Sequence, residues 1–160
     1  MTYEIRLQRR LGVPPEVAFH HWVDADARRR WYQGDEPGWV VDAATDLRVG
    51  GRYHVRWGPA AERAYREEGT FLVVEPPNQL VYTSRFTPMS DDEGAPLDLR
   101  VSVTFSADGD GTILELVETG YPTREIRDAF LRNGADQGLA FYERSLPGSL
   151  RASPADGDAT

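Results

Sequence analysis

The feature that most constrains the fold is a pair of alternating segments joined by a tight turn. Every second side chain in these segments belongs to one largely apolar face: Leu99, Val101, Val103 and Phe105, then Thr112, Leu114, Leu116 and Glu118. The connecting residues Asp108–Gly111 have the Asp-Gly composition of a two-residue hairpin turn. Because successive side chains of a strand point to opposite faces, each segment predicts a strand with one buried face. The pair therefore predicts an antiparallel sheet that must bury this face against another layer.

Further strands are predicted before this hairpin, each bounded by glycine, proline or polar residues. Their predicted ranges are Tyr3–Leu11, Trp39–Ala43, Arg52–Trp57, Gly69–Glu75 and Gln79–Phe86. Two short helices are predicted after the first strand. One is Glu16–Val23, and the other follows Asp24 as its N-cap and ends at Trp31. The sequence thus predicts a curved antiparallel sheet of about six to seven strands.

A long C-terminal helix is predicted to cover the sheet. It starts near Thr123 and runs to about Leu146, before Pro147-Gly148. At 1.5 Å per residue such a helix spans roughly 35 Å, which is enough to cross a whole sheet. It is the only predicted element large enough for that role, so the predicted fold class is α+β. We expect residues 1–147 to form a single domain and residues 148–160 to form a flexible tail.

Composition excludes several classes of chemistry. The chain has no cysteine and all 18 of its basic residues are arginine, which excludes thiol nucleophiles, disulfides and lysine Schiff bases. It lacks HExxH, GxSxG and P-loop motifs and any metal-ligand spacing, so we predict no metal and no cofactor. The net charge of −8 disfavours nucleic acid as a partner. The sequence contains no apolar run of membrane-spanning length and no signal peptide, which predicts no membrane association and a cytoplasmic location.

Most charged side chains are predicted to lie in water. The run Arg28–Arg30 is expected at the surface because adjacent helical residues point in different directions. His20 and His21 are also expected at the surface, with one of them near a pocket mouth as the alternative. His54 and Arg85 have the opposite parity to their apolar neighbours and are predicted to point outward.

Glu118 is the candidate catalytic residue because it shares a face with Leu114 and Leu116. A carboxylate on an apolar face is costly unless it is paired or protonated. Burial would raise its pKa and suit it to acid–base catalysis or to binding a ligand hydroxyl or amine. The alternative interpretation is a strand-end position at an open rim, in water.

The C-terminal helix carries an apolar stripe whose centre, Ala135 and Gly138, is small. These two residues either form a pocket wall or simply let helix and sheet approach closely. Aromatic side chains at inward strand positions either stack on a flat ligand or pack in the core. The predicted ligand-binding residues are Trp31, Tyr53, Trp57, Tyr82, Ser84, Phe86, Leu116, Leu131, Ala135, Gly138 and Tyr142.

Four segments, taken in order, carry a resemblance to a known family. They are Trp31-Tyr32, Asp46–Tyr53, Gly69–Thr83, and Gly111–Leu116 through Gly120-Tyr121-Pro122. Together they resemble the heat-shock-protein-90 ATPase activator-like branch of the START-like helix-grip superfamily (SRPBCC), which includes polyketide cyclase-like proteins. The resemblance implies a helix-grip fold, in which the curved sheet wraps around the C-terminal helix and leaves a pocket between them. It does not imply one function, because a single scaffold hosts many unrelated sites.

Three positions depart from the family pattern at the pocket. Ala135 and Ser84 stand where the family often has tryptophan, and Glu118 stands where it often has histidine. Exchanging a large ring for a small group leaves volume unless neighbouring side chains refill it. We therefore expect a roomier pocket than the family average.

Three functions remain open. The first is binding of a small hydrophobic or aromatic molecule in the cavity between sheet and helix, which needs an apolar cavity with a few polar anchors. The second is a cyclase- or aromatase-like enzyme, a kind the superfamily includes, with Glu118 or a tyrosine as acid or base. The third is a chaperone-interaction module, which the family name implies and which ranks last because the sequence has no long exposed apolar stretch. Monomer and homodimer are both open.

Overall fold

The computed structural model describes residues 1–148, so most of the predicted tail lies outside the described residues. Seven antiparallel strands form one sheet in the order β1-β7-β6-β5-β4-β3-β2. The strands are β1 (Tyr3–Leu11), β2 (Val40–Thr45), β3 (Arg52–Ala60), β4 (Arg63–Glu75), β5 (Gln79–Thr87), β6 (Leu97–Asp108) and β7 (Gly111–Tyr121). Strands β1 and β2 lie at opposite edges, so the segment that joins them must cross the sheet. This arrangement confirms the predicted α+β class.

The predicted strands are all present. Strand β1 has the predicted bounds, and the other strands differ from theirs by one or more residues at one or both ends. Strand β2 covers Val40–Thr45 instead of Trp39–Ala43, and β4 begins at Arg63 instead of Gly69. The missed start of β4 pairs with β3, Trp57 lying opposite Tyr65. This start is hard to recognise in the sequence because a carboxylate, Glu67, occupies one of its inward positions.

The helices follow the predicted order, but the predicted C-terminal helix contains a π-helical segment. They are α1 (Pro15–Val23), α2 (Ala25–Trp31), α3 (Arg124–Phe130) and α4 (Asp136–Ser145), and a π-helical segment, Leu131–Ala135, joins α3 to α4. We call this continuous stretch from Arg124 to Ser145 the C-terminal helix. As predicted, Asp24 caps α2, because its Oδ2 accepts a hydrogen bond from the Ala27 N–H at 3.0 Å. No helix within residues 1–148 has the length and apolar content needed to cross a bilayer.

The inner face of the sheet is covered by two groups of helices, which corrects the expectation that the C-terminal helix alone covers it. The larger apolar core joins the sheet to α1, α2 and α4 through Phe19, Trp31 and Tyr142, respectively. A smaller core forms around Ile5, Leu99 and Tyr121 and is covered by α3 and the π segment. The short helices take a large share because they must cross from the β1 edge to the β2 edge over this face.

Candidate ligand-binding site

The candidate site lies on the inner face of the sheet, between β4 and β7. The strand register sets Tyr82 beside Val101, Val101 beside Glu118, and Glu118 beside Ile5. Tyr82, Val101 and Ile5 are all buried. Side chains that lie opposite each other across neighbouring strands share one face of a sheet. Glu118 therefore points inward, as its parity with Leu114 and Leu116 predicts.

A β-bulge gives Glu118 its hydrogen-bond partner. Gly120 has φ +118°, and the pairing of β1 with β7 shifts at this point. The shift returns Tyr121 to the inner face, where its hydroxyl donates to Glu118 Oε1 at 2.7 Å. Burial raises the pKa of Glu118 to about 7, with Tyr121 opposing this effect and the nearby Glu67 carboxylate adding to it. Glu118 is therefore a partly buried, hydrogen-bonded carboxyl and not a freely solvated group at the rim.

A second carboxylate on the same face was not anticipated from the sequence. Glu67 accepts hydrogen bonds from the hydroxyls of Tyr32, at 2.9 Å to Oε1, and Tyr53, at 2.7 Å to Oε2. It lies opposite Phe86 in the β4–β5 ladder, which sets it on the inward side of β4. Its alternation with Phe71, which is fully buried, is the signal that could have revealed it.

Arg28 is buried beside this carboxylate, which corrects the prediction that the whole arginine run lies in water. Its exposure is 1%, its Nε donates to the Trp22 carbonyl at 2.8 Å, and its guanidinium lies 4.8 Å from the Tyr53 ring centroid. Its Nη1 has no hydrogen-bond partner among the described residues. Burial opposes the charge of Arg28, but the surrounding tyrosines and Glu67 outweigh this effect, and its pKa is raised. Helix α2 packs on β2, so one of three consecutive arginines must face the sheet.

His21 is also buried, contrary to the surface position expected for it. Its Nε2 lies 2.8 Å from Ser145 Oγ, and that hydroxyl donates to the Tyr142 carbonyl. Burial, assisted by Arg30, lowers the pKa of His21 to about 4. The side chain therefore ties α1 to the end of α4. His20, His54 and Arg85 are exposed, as predicted.

Strand β5 supplies two further polar groups to the inner face. The Tyr82 hydroxyl accepts a hydrogen bond from Trp22 Nε1 at 3.1 Å, and burial raises the pKa of Tyr82. Ser84 is only 5% exposed, and no group of residues 1–148 forms a hydrogen bond with its hydroxyl. Phe86 follows on the same face, within an aromatic group that includes Trp57 and Tyr65.

The predicted ligand-binding residues divide between two regions. Trp31, Leu116 and Tyr142 lie in the larger core, where the Tyr142 hydroxyl donates to the Ala18 carbonyl at 2.6 Å. Phe86, Leu131 and Ala135 pack around the smaller core instead, near Glu118. Tyr53 and Tyr82 also belong to the larger core, and Trp57 packs against it. Ser84 follows Tyr82 on the inner face of β5, opposite Leu99. Gly138, on α4, is partly exposed, and a methyl group added there would meet no atom within 4 Å.

Two surface cavities lie outside this face. The larger, of about 190 Å³, is lined by Trp31 and by Arg30, Gly34, Phe141, Arg144 and Ser145. The smaller, of about 120 Å³, lies between β2, β3 and β4. Within residues 1–148, no group of three or more His, Asp or Glu side chains is arranged to hold a metal ion.

Comparison with solved structures identifies proteins with a similar fold. Protein CV1439 from Chromobacterium violaceum is 26% identical, with 90% of this chain and 97% of that chain covered and a TM-score of 0.72. A protein from Rhizobium leguminosarum is 19% identical over 91% and 94% of the two chains, with a TM-score of 0.74. CalU16 from Micromonospora echinospora is 22% identical over 99% and 85%, with a TM-score of 0.63. These similarities confirm the helix-grip fold.

Comparison of sequences identifies the family. None of the curated proteins matches the chain at a significant level. A family profile described as Activator of Hsp90 ATPase homolog 1-like protein matches residues 12–145, which is most of the chain and includes every predicted site residue. The resemblance inferred from four short segments is thereby confirmed, and the chain belongs to the Activator of Hsp90 ATPase homolog 1-like family.

Proposed function

We propose that this protein binds a small hydrophobic or aromatic molecule between its sheet and its C-terminal helix. The observation that carries the proposal is incomplete burial of an inward-facing patch. Trp57, Glu67, Phe86 and Glu118 remain partly exposed, although neighbours in the same rows, such as Val55, Leu97 and Val101, are buried. Aromatic and apolar walls with a few polar groups are the composition typical of small-molecule sites.

The helix side supports the same interpretation. Leu131, Ala135 and Gly138 are partly exposed, whereas Leu139 and Tyr142 on the same helix are buried. The stripe is therefore packed at one end and incompletely packed at the other. The side chains at positions 84, 135 and 138 are small, and a methyl group added at Gly138 would meet no atom within 4 Å.

A cyclase-like enzyme is the second candidate, and one specific observation favours it. The pKa of Glu118 is raised to about 7, chiefly by burial, which suits a group that both accepts and donates a proton near neutral pH. Its carboxyl lies on the face that would contact the ligand. A chaperone-interaction module ranks third, because the large exposed apolar side chains within residues 1–148 are scattered: Met1, Val40, Leu47 and Val49.

The test is to fill the proposed space from the helix side. The neutral probe 1-naphthalenemethanol is titrated into wild type, Gly138→Trp and Ala140→Trp by calorimetry. Ala140 is exposed on the same helix, so its variant is the matched control. We expect saturable binding at one probe per chain, about tenfold weaker in Gly138→Trp and within about twofold of wild type in Ala140→Trp.

The opposite result is equally clear. If wild type binds neither this probe nor any member of a set of neutral aromatic and lipid molecules, and native mass spectrometry finds the host-purified protein empty, the proposal is wrong. Equal binding by both tryptophan variants would mean that the probe occupies a different part of the molecule.

A further inference from the structure

We propose that the molecule bound between sheet and C-terminal helix carries a protonated amine, held by the Glu118 carboxylate with the Ser84 hydroxyl nearby. This inference rests on the proposed function and specifies its ligand class: an aromatic or apolar body with one cationic nitrogen. It follows from the balance of charges on the inner face and from the hydrogen bonds already formed there.

The inner face carries two carboxylates, Glu67 and Glu118. Two arginines reach it: Arg28 from α2, and Arg9 on β1, which pairs with the Asp136 carboxylate of α4. Glu67 is satisfied within the protein, because both of its oxygens accept tyrosine hydroxyls and Arg28 lies close enough to interact electrostatically. Glu118 has only the Tyr121 hydroxyl on Oε1. In the part of the chain that the structure describes, no group donates to its Oε2. One negative charge on this face therefore lacks a cation.

The groups around Glu118 offer it no positive charge. Tyr121 on its own strand, Tyr82 on β5 and Glu67 on β4 are the titratable groups that interact with it, and none is cationic. Strands β1 and β6 present the apolar side chains Ile5 and Val101. On α3, Arg127 bonds to the Asp128 carboxylate and the Glu4 carbonyl, and Arg124 lies over the Tyr3 ring. The apolar side chains Phe130 and Leu131 cover this region from the helix.

A carboxyl in such surroundings is neutral or paired, because an isolated buried charge is costly. Without a ligand, Glu118 takes up a proton as the pH falls below about 7, consistent with the upward shift of its pKa. A bound ammonium group would replace that proton and donate a hydrogen bond to Oε2. An anionic ligand would meet two carboxylates, and a neutral alcohol would form a hydrogen bond without balancing the charge.

Ser84 is an independent indication that a polar group is expected here. The residue as a whole is 5% exposed and lies on the inner face between Tyr82 and Phe86. Its Oγ keeps some solvent contact and has no hydrogen-bond partner within residues 1–148. A hydroxyl that is accessible and unpaired can donate a hydrogen bond to a ligand or accept one from it. An ammonium group has three donors, enough for the Glu118 carboxylate and the Ser84 hydroxyl. The faces of Trp57 and Phe86 would contact the apolar body of the ligand.

The experiment compares three probes of similar shape and different charge. Calorimetry at pH 6 to 8 measures binding of 1-naphthylmethylamine, 1-naphthalenemethanol and 1-naphthoate to wild type, Glu118→Gln and Glu115→Gln. The amide introduced by Glu118→Gln keeps an acceptor for the Tyr121 hydroxyl, and Glu115 is a partly exposed carboxylate on the same strand whose partner is Arg6. Circular dichroism establishes that each variant is folded.

In wild type at pH 7.5 we expect the amine to bind at least about tenfold more tightly than the alcohol, and the naphthoate to bind most weakly. Amine affinity should fall towards that of the alcohol as the pH falls from 8 to 6, because Glu118 becomes protonated, and part of a proton should be released per amine bound at pH 6. Glu118→Gln should lose both the tenfold preference and the proton release and retain alcohol binding. Glu115→Gln should behave as wild type.

Each contrary result has a distinct meaning. If wild type binds the alcohol and the amine equally, or if Glu118→Gln keeps the preference for the amine, the inference about the ligand class is overturned and the proposed function stands. If none of the three probes binds wild type, the proposed function itself has failed for aromatic ligands, and the inference fails with it.

Discussion

The environment of Glu118 gives its carboxyl group a higher pKa than a glutamate has in water. It lies in a row of buried residues, accepts one hydrogen bond from Tyr121 and faces a second carboxylate, Glu67. Desolvation is the largest of these effects and favours the neutral acid. The raised pKa of Glu118 is therefore a consequence of its position on the inner face of the sheet.

The pH dependence of stability tests this environment. The pKa of Glu118 is raised from 4.5 to about 7, so the folded state binds more protons than the unfolded chain between these values. Stability from this group is fully present below about pH 4.5 and is lost as the pH rises towards 7. The shift corresponds to roughly 3 kcal/mol, which partial exposure reduces to about 1–3 kcal/mol.

We therefore expect Glu118→Gln to match wild type at pH 4.5 and to be more stable than wild type by about 1–3 kcal/mol at pH 8. Urea denaturation at both values measures the difference. Comparing variant with wild type removes the opposite contribution of His21, whose lowered pKa reduces stability as the pH falls from 6.5 towards 4. A variant whose stability advantage does not change with pH would contradict the raised pKa.

At the scale of elements, the end of β7 is what joins the sheet to the site. Gly120 has φ +118°, and a side chain there would approach the Asp98 carbonyl oxygen to 2.6 Å. The bulge turns Tyr121 back to the inner face, where it packs with Phe130 of α3 and bonds to Glu118. The bulge at Gly120 therefore leads the chain towards the C-terminal helix and also places the Tyr121 hydroxyl against Glu118.

The bulge can be tested with two glycines that share the same φ. Gly94 also has φ +118°, but a methyl group there would meet nothing within 4 Å. We expect Gly94→Ala to cost only backbone strain, about 1–2 kcal/mol, and Gly120→Ala to cost at least about 1 kcal/mol more because of the clash. Urea denaturation measures both. Equal losses would mean that the carbonyl of Asp98 moves away freely.

For the whole molecule, the contact between layers is partly polar. Arg28 reaches from α2 towards the inner face, over the ring of Tyr53, while Glu67 on β4 accepts from Tyr53 and from Tyr32 after α2. Removing one partner of a buried charged group is costly, because the other is left without compensation. The helix pair and the sheet should therefore lose stability together when either group is removed.

A double-mutant cycle tests this coupling. Arg28→Met and Glu67→Gln should each cost about 2–4 kcal/mol, and the double variant should be more stable than their sum predicts by about 1–3 kcal/mol. The exposed pair Arg85–Asp98, 2.7 Å apart, is the control and should couple by less than about 1 kcal/mol. Additive losses at Arg28 and Glu67 would show that the two groups contribute separately.

The sequence by itself determined the local elements of this protein. Alternation in β6 and β7, the Gly109-Asp110 turn and the Asp24 cap are short-range patterns, and each predicted its element because a strand face or a helix end depends on neighbours along the chain. The inward direction of Glu118 followed from the same alternation. Four short segments in order were sufficient to identify the family.

Only the tertiary structure decided which polar groups are buried together. Arg28 has the same residue type as its exposed neighbours, and it is buried because α2 packs on β2. Glu67 lies far along the chain from Tyr32 but accepts its hydroxyl, and the π segment divides a helix that the sequence predicts as continuous. Desolvation and charge pairing depend on distances between elements, and no pattern within one element encodes those distances.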